Sequence, residues 1–171
     1  MNAPTTPYLD LPQIPAEFQQ CFDSQRAAYL EHPEPTLAER RQDLLNLSRM
    51  LKENRDALVA AINADYGSRS EFETLFAEFF VVLETIKDSS KNLKKWMKPQ
   101  RRHIDMLTYP GASNRVIPQP LGVVGIIVPW NFPLNLTFSP LAAIFAAGNR
   151  AMVKMSENSR HLALLLAQIS P

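Results

Sequence analysis

Apolar residues recur at helical spacing through most of the first hundred positions. Residues 15–30 form one such pattern, which ends near Pro33 because the residue before a proline disfavours the helical conformation. Residues 36–39 (TLAE) match a capping box, and leucines at helical spacing follow it. A third pattern over residues 56–64 stops at Gly67. This part of the chain is therefore predicted to be a set of packed helices.

The longest helical pattern covers residues 70–98 and ends before Pro99. Its apolar residues fall on one broad stripe, which comprises Phe72, Leu75, Phe76, Phe79, Phe80, Leu83 and Ile86. A stripe of this kind is more typical of helix packing than of a ligand site, so we expect it to be buried against neighbouring helices.

Strand patterns replace the helical ones after residue 102. Residues 103–110 and 114–120 flank a short Gly-Ala-Ser segment, which predicts two strands joined by a short loop. Residues 123–128 are apolar and mostly β-branched, which predicts a strand buried on both faces. A helix should follow from about Leu136 to a glycine cap at Gly148.

A second strand is predicted at residues 150–155, before a last helix capped by Ser156 or Asn158. Two strands joined through a helix by short connections run parallel. The predicted fold class is therefore α/β, with N-terminal helices, a β-hairpin and the first βαβα portion of a Rossmann-like parallel sheet, an incomplete domain. The predicted divisions are an extended arm at 1–14, a helical segment at 15–100, a hairpin at 101–120 and the sheet unit at 121–171.

The sequence PWNFP at residues 129–133 places an amide side chain, that of Asn131, just after a buried strand. Ligands of open parallel sheets bind outside the carboxyl ends of the strands. From the residues alone, two roles are open for Asn131: a hydrogen-bond donor to a ligand, or a cap for the helix that follows.

The PWNFP motif, followed by AAGNRAMVKMSE at residues 146–157, resembles the aldehyde dehydrogenase superfamily. The variant KMSE, with DYGSRSEFET at 65–74 and KNLKKWMKPQRR at 91–102, is similar to the coniferyl aldehyde dehydrogenases within it. The resemblance runs from about residue 35 to residue 171. It implies NAD(P)-dependent oxidation of an aldehyde, here an aromatic one, to its carboxylic acid, in a homodimer or higher homo-oligomer.

By this resemblance, Asn131 donates to the alkoxide that forms when a thiolate attacks the aldehyde. Lys154 and Glu157 match the residues that contact the adenosine ribose of NAD, although a solvated helix start is the alternative reading. A carboxylate near the ribose favours NAD, and Lys154 leaves NADP possible. Trp130 is expected either to line the substrate channel or simply to cover the strand end.

The family's cysteine nucleophile, its glutamate base and its catalytic domain are expected beyond residue 171. The only cysteine, Cys21, lies at helical spacing with Phe18 and Phe22 and is expected to be a small core or interface residue. The chain alone is therefore predicted to be inactive. An inactive nucleotide-binding subunit and a helical interaction module are the rival readings.

Composition and charge favour a small molecule over nucleic acid or a membrane as the binding partner of this chain. The net charge of +1 favours neither nucleic acid nor a membrane surface. Cations cluster at residues 91–102, but they follow the last turns of a predicted helix and complement its dipole. No metal-ligand spacing occurs, and no secretion signal or apolar run long enough to cross a bilayer is found. A cytoplasmic location is expected.

Overall fold

A computed structural model describes residues 14–170, so the arm predicted at 1–14 falls outside it apart from Ile14. The described elements are α1 (Ala16–Glu31), α2 (Leu37–Glu53), α3 (Arg55–Tyr66), α4 (Glu71–Thr74), α5 (Val81–Trp96), β1 (Gln100–Arg102), β2 (Asn114–Val116), β3 (Val123–Ile127), α6 (Pro133–Ala146), β4 (Arg150–Lys154) and α7 (Arg160–Ile169). A π-helical turn at Leu75–Phe80 joins α4 to α5. This order confirms the α/β class.

Local signals account for the ends of the first helices. The hydroxyl of Thr36 accepts a hydrogen bond from the Glu39 amide at 3.3 Å, and the Glu39 carboxylate accepts one from the Thr36 amide at 2.7 Å. This capping box starts α2 as predicted. Hydrogen bonds from Thr36 lower the pKa of Glu39 to about 2. Helix α3 ends at Gly67, whose φ of 77° lies in the left-handed region that favours glycine.

The apolar stripe predicted on the long helix is divided between two faces. Phe79 and Ile86 are buried in the core, but Phe72, Phe76 and Phe80 are 76%, 61% and 55% exposed. Those three rings stack in a ladder, with centroids 6.1 and 6.0 Å apart. The expectation that the whole stripe is buried is therefore wrong for the described residues. The three rings of the ladder are four residues apart, so they lie in one row on the helix surface. The buried residues Phe79 and Ile86 lie on a different face.

The hairpin differs in detail from the prediction. Strands β1 and β2 are antiparallel, with Arg101 opposite Arg115, so the first strand lies before residue 103. Residues 103–113 form an irregular connection instead of a strand. The reason is a local turn, in which the Asp105 carboxylate accepts hydrogen bonds from the Leu107 amide and the Thr108 hydroxyl.

Strands β3 and β4 are parallel, as predicted, in a register that runs from Val123 opposite Arg150 to Ile127 opposite Lys154. Helix α6 is the crossover between them and packs against α2 and α5. Alternate residues of a strand face opposite sides, and Ile126 is buried whereas Ile127 is 83% exposed. The prediction that β3 is buried on both faces is therefore wrong among residues 14–170.

The core is built around α6, and the glycine predicted to stop this helix, Gly148 (φ 80°), follows its C-cap residue Ala147. Its buried members from α2, α3, α5, α6 and α7 include Leu44, Leu51, Leu58, Ile62, Leu93, Leu134, Phe138 and Leu162. Within residues 14–170, no helix has the length and apolar character needed to cross a bilayer.

The cap of α7 is not Ser156 or Asn158, as predicted, but a residue of α3. The carboxylate of Asp65 accepts from the amides of His161 at 2.8 Å and Leu162 at 3.0 Å. Asp65 lies 96 residues before His161 in sequence. Packing of α3 against α7 therefore supplies the cap that the local sequence does not.

Candidate active site at the carboxyl ends of the parallel strands

Asn131 lies in the turn between β3 and α6, at the carboxyl edge of the two-stranded sheet. Its main-chain carbonyl is held from behind, since it accepts hydrogen bonds from the Tyr66 hydroxyl at 2.7 Å and from Nη1 of Arg69 at 2.9 Å. Its side chain is exposed and makes no hydrogen bond to any residue in the range 14–170. The amide can therefore donate to a ligand.

A carboxylate from another helix caps α6. Oε2 of Glu78 accepts from the amides of Leu134 at 2.7 Å and Asn135 at 3.2 Å. The N-cap residue of α6 is Phe132, and no side-chain cap bond forms at that position. The alternative reading of Asn131 as a helix cap is therefore wrong in this structure, while its role as an oxyanion donor stays a prediction.

Arg69 contacts both the Asn131 carbonyl and Glu78, the carboxylate that caps α6. Its side chain is only 4% exposed, and its guanidinium carbon lies 4.7 Å from the ring centroids of both Tyr66 and Phe132. Nη1 of Arg69 lies 3.2 Å from Oε1 of the fully buried Glu78. Burial raises the pKa of Glu78 above its usual range, and the amides at the start of α6 and the Arg69 charge oppose that effect.

Sequence reasoning missed Tyr66, Arg69 and Glu78 as parts of this site. Tyr66 and Arg69 belong to the DYGSRSEFET stretch, which served only as a mark of resemblance. Glu78 gave a signal that could have been used, since it is a lone carboxylate between the apolar residues of a core-facing helix. A buried charge requires a partner, so the sequence indicated that a cation lies beside Glu78 without identifying it as Arg69.

Lys154 and Glu157 lie together at the end of β4, while their role at a cofactor ribose stays a prediction. Lys154 is the last residue of β4, and its ammonium forms an ion pair with Oε1 of Glu157. Both side chains are largely exposed, and the hydrogen bond from Lys154 lowers the pKa of Glu157. Because Ile127 pairs with Lys154, this donor and acceptor lie at the same sheet edge as the turn that carries Asn131.

Met155 and Trp130 complete the region. Sδ of Met155 lies 3.4 Å from the buried Thr137 hydroxyl of α6, which donates to the Pro133 carbonyl at 2.6 Å, so Met155 packs behind the strand end. The Trp130 ring is exposed, which leaves both of its predicted roles open.

A cleft of about 310 Å³ opens beside Asn131. It is lined by Tyr66, Ser68, Arg69, Glu73, Trp130, Asn131 and Phe132. A larger groove of about 630 Å³, between the start of α3 and the π-helical turn, contains none of the predicted site residues. We therefore place the candidate site at the smaller cleft, where the free amide lies.

Cys21 has no part in this region. It lies on α1, which has no buried residue, and its side chain is exposed. The prediction of a core position for Cys21 is wrong for the described residues, because Phe18 and Phe22 beside it are also exposed. The alternative of an interface residue stays a prediction.

The family model described as the aldehyde dehydrogenase family matches residues 13–170. The chain is 47% identical over 159 residues to a probable coniferyl aldehyde dehydrogenase of Pseudomonas aeruginosa, covering 91% of this chain and 33% of the relative. It is 46% identical over 148 residues to a coniferyl aldehyde dehydrogenase of Pseudomonas sp. (strain HR199), covering 86% and 30%. The chain spans about a third of the length of these curated relatives.

Two of the solved structures that resemble the fold illustrate the similarity. One, described as the substrate-bound state of Staphylococcus aureus AldH, has a TM-score of 0.82 at 26% identity and covers 92% of this chain and 34% of its own. An NAD-dependent benzaldehyde dehydrogenase from Corynebacterium glutamicum has a TM-score of 0.74 at 26% identity and covers 90% and 32%. With the family match over residues 13–170, the chain belongs to the aldehyde dehydrogenase family.

Proposed function

We propose that the complete gene product is an NAD(P)-dependent aldehyde dehydrogenase that oxidises an aromatic aldehyde, of the coniferyl aldehyde type, to its carboxylic acid. The observation that carries this proposal is the free Asn131 amide beside a cleft at the carboxyl edge of the sheet. The similarity to two coniferyl aldehyde dehydrogenases supports the substrate class.

In this proposal, the chain supplies electrostatic stabilisation and part of the cofactor site. The Asn131 amide donates a hydrogen bond to the alkoxide oxygen that develops when a nucleophile attacks the aldehyde carbon. The side-chain amide of asparagine does not ionise at any pH at which an enzyme works, so it remains a hydrogen-bond donor throughout. The thiolate nucleophile and the base that activates water belong to the part of the family that extends beyond this chain.

The nicotinamide cofactor would accept the hydride from the substrate carbon. The chemistry of Lys154 and Glu157 fits its adenosine ribose, because an exposed ammonium can donate to a hydroxyl and an exposed carboxylate can accept from one. A carboxylate beside the 2′-hydroxyl disfavours a 2′-phosphate, so NAD is proposed as the preferred cofactor. Lys154 offsets part of that repulsion, and NADP is therefore tested alongside.

Purified complete gene product should be assayed for cofactor reduction with coniferyl aldehyde, benzaldehyde and hexanal, each with NAD and with NADP. The expected result is the highest kcat/KM with coniferyl aldehyde and NAD. A matched sample of residues 1–171 alone should give no turnover. Binding of NAD by the complete product without reduction in any mixture would favour the inactive nucleotide-binding subunit instead.

Assembly and location follow from the family resemblance and from the cysteine content. A homodimer or higher homo-oligomer follows from the family resemblance, with the β1–β2 hairpin extending toward the interface; all six of its strand residues are exposed in the single chain. Light scattering on wild type and on a hairpin variant, Val116→Asp, would test this. The single cysteine favours a reducing, cytoplasmic compartment.

A further inference from the structure

A buried arginine lies directly behind the peptide that carries the Asn131 amide. Nη1 of Arg69 donates to the Asn131 carbonyl at 2.9 Å, and Nη2 lies 3.4 Å from Oε1 of Glu73. The same guanidinium is stacked between the rings of Tyr66 and Phe132. Moving a guanidinium out of water costs free energy unless it is paired and hydrogen-bonded. These contacts therefore stabilise Arg69 in its buried position.

The residues after Asn131 are held by the partner of this arginine. Glu78 accepts from the amides of Leu134 and Asn135 and is paired with Arg69. The turn is therefore fixed at two points, its carbonyl at Asn131 and its amides at the start of α6. The Arg69–Glu78 ion pair connects those two points, and the rest of the main chain between them has little freedom.

Tyr66 supplies the remaining contact. Its hydroxyl lies within hydrogen-bonding distance of the carbonyls of both Trp130 and Asn131. A phenol has a single proton, so it can donate to only one of these carbonyls at a time. Arg69 is consequently the steadier donor to the Asn131 carbonyl.

We propose that Arg69 is a positioning residue: it fixes the Asn131 peptide so that the side-chain amide keeps one direction toward the substrate oxygen. This inference rests on the proposed oxyanion role of Asn131. Arg69 does not touch the reacting atoms in this arrangement, since its exposed fraction is small and its Nη groups are occupied behind the turn.

A lysine at position 69 cannot make the same set of contacts as the arginine. A guanidinium is planar, so it stacks between two rings while its separate N–H groups reach a carbonyl and two carboxylates. A lysine ammonium is a point charge on a flexible stem and loses the stacking. Arg69→Lys should therefore preserve the charge balance of Glu78 but not the orientation of Asn131.

The test is a double-mutant cycle in the complete gene product with coniferyl aldehyde and NAD. Arg69→Met keeps the length of the side chain and removes its donors, and Arg69→Lys keeps the charge. Both should lower kcat by about 10- to 100-fold, the cost of a misplaced catalytic group, with the KM for NAD unchanged. Arg55→Met, at an exposed arginine that pairs with its neighbour Asp56, is the matched control and should leave kcat unchanged.

The decisive readout is the same change made in the Asn131→Ala background. If Arg69 acts through Asn131, then Arg69→Met should lower kcat by less than about 2-fold there. An equal loss in both backgrounds would overturn the positioning role, because a purely structural effect would multiply in each. An unchanged kcat for Asn131→Ala alone would instead overturn the proposed oxyanion role on which the inference rests.

Tyr66→Phe gives a second route if Arg69→Met does not fold, since it leaves the buried ion pair in place. It removes one donor to the turn and should lower kcat by about 3- to 10-fold in the native background. In the Asn131→Ala background it should have no further effect. The same loss in both backgrounds would overturn the proposal.

Discussion

Replacing Gly148, in the turn between α6 and β4, with alanine should lower the free energy of unfolding by more than the cost of the left-handed backbone conformation alone. Gly148 has a φ of 80°, and a Cβ atom added there would lie 2.6 Å from Cζ of Arg40. Arg40 cannot move freely, because its side chain is buried and donates to the carbonyls of Pro35 at 2.9 Å and Ala146 at 3.2 Å.

The magnitude follows from two contributions. A left-handed backbone conformation costs a residue with a Cβ about 1 kcal/mol. Displacing the guanidinium breaks at least one hydrogen bond from a charged group, and each is worth about 1.5–3 kcal/mol. With one such bond lost, Gly148→Ala should therefore lower the free energy of unfolding by about 2.5–4 kcal/mol in total.

Gly67→Ala is the matched control, because Gly67 also closes a helix, with a φ of 77°, but an added Cβ would meet no atom within 4 Å. It should cost only the backbone contribution of about 1 kcal/mol. Urea denaturation of the complete gene product measures both variants. Equal midpoints for the two variants would refute the assignment of the excess cost to Arg40.

Three further predictions concern the cap of α7, the start of α2 and the cofactor site. Asp65→Ala should cost about 1–2 kcal/mol in urea denaturation by removing the acceptor for two amides of α7, whereas Asp65→Asn should cost less. The folded-state pKa of Glu39 is lowered from 4.5 to about 2, so its stabilising contribution is present above pH 4.5 and lost as the pH falls toward 2. Glu39→Gln should remove that part of the acid dependence in a pH series of melting temperatures, and an unchanged series would contradict it. Lys154→Ala and Glu157→Ala should each raise the KM for NAD with little change in kcat, and a fall in kcat at unchanged KM would contradict the ribose assignment.

Local chemistry was enough to predict the helical elements and several of their ends. The Thr36 capping box and the glycines at 67 and 148 act within a few residues, so their signals are complete in the sequence. The parallel pairing of β3 and β4 also followed, because a short strand–helix–strand connection permits little else.

Contacts between distant residues were not predictable in the same way. Asp65 caps a helix that starts almost a hundred residues later, and Glu78 caps α6 across a separation of 56 residues. The local sequence near each helix start offered other polar residues that turned out not to bond there. Only the packing of α3 against α7, and of the π-helical turn against α6, determines which carboxylate is close enough.

The composition of β3 predicted more burial than residues 14–170 provide. The apolar character of β3 predicted burial on both faces, yet Ile127 is exposed among residues 14–170. The chain spans about a third of the length of its curated relatives. The exposed ladder of Phe72, Phe76 and Phe80 presents the same kind of apolar surface.

The most direct test of the proposed catalytic role is the kcat of Asn131→Ala in the complete gene product with coniferyl aldehyde. Removal of one oxyanion donor should lower kcat by about 10²- to 10³-fold, with the KM for NAD and the melting temperature close to those of wild type. A kcat equal to that of wild type would contradict the assignment of Asn131 as the donor to the developing alkoxide.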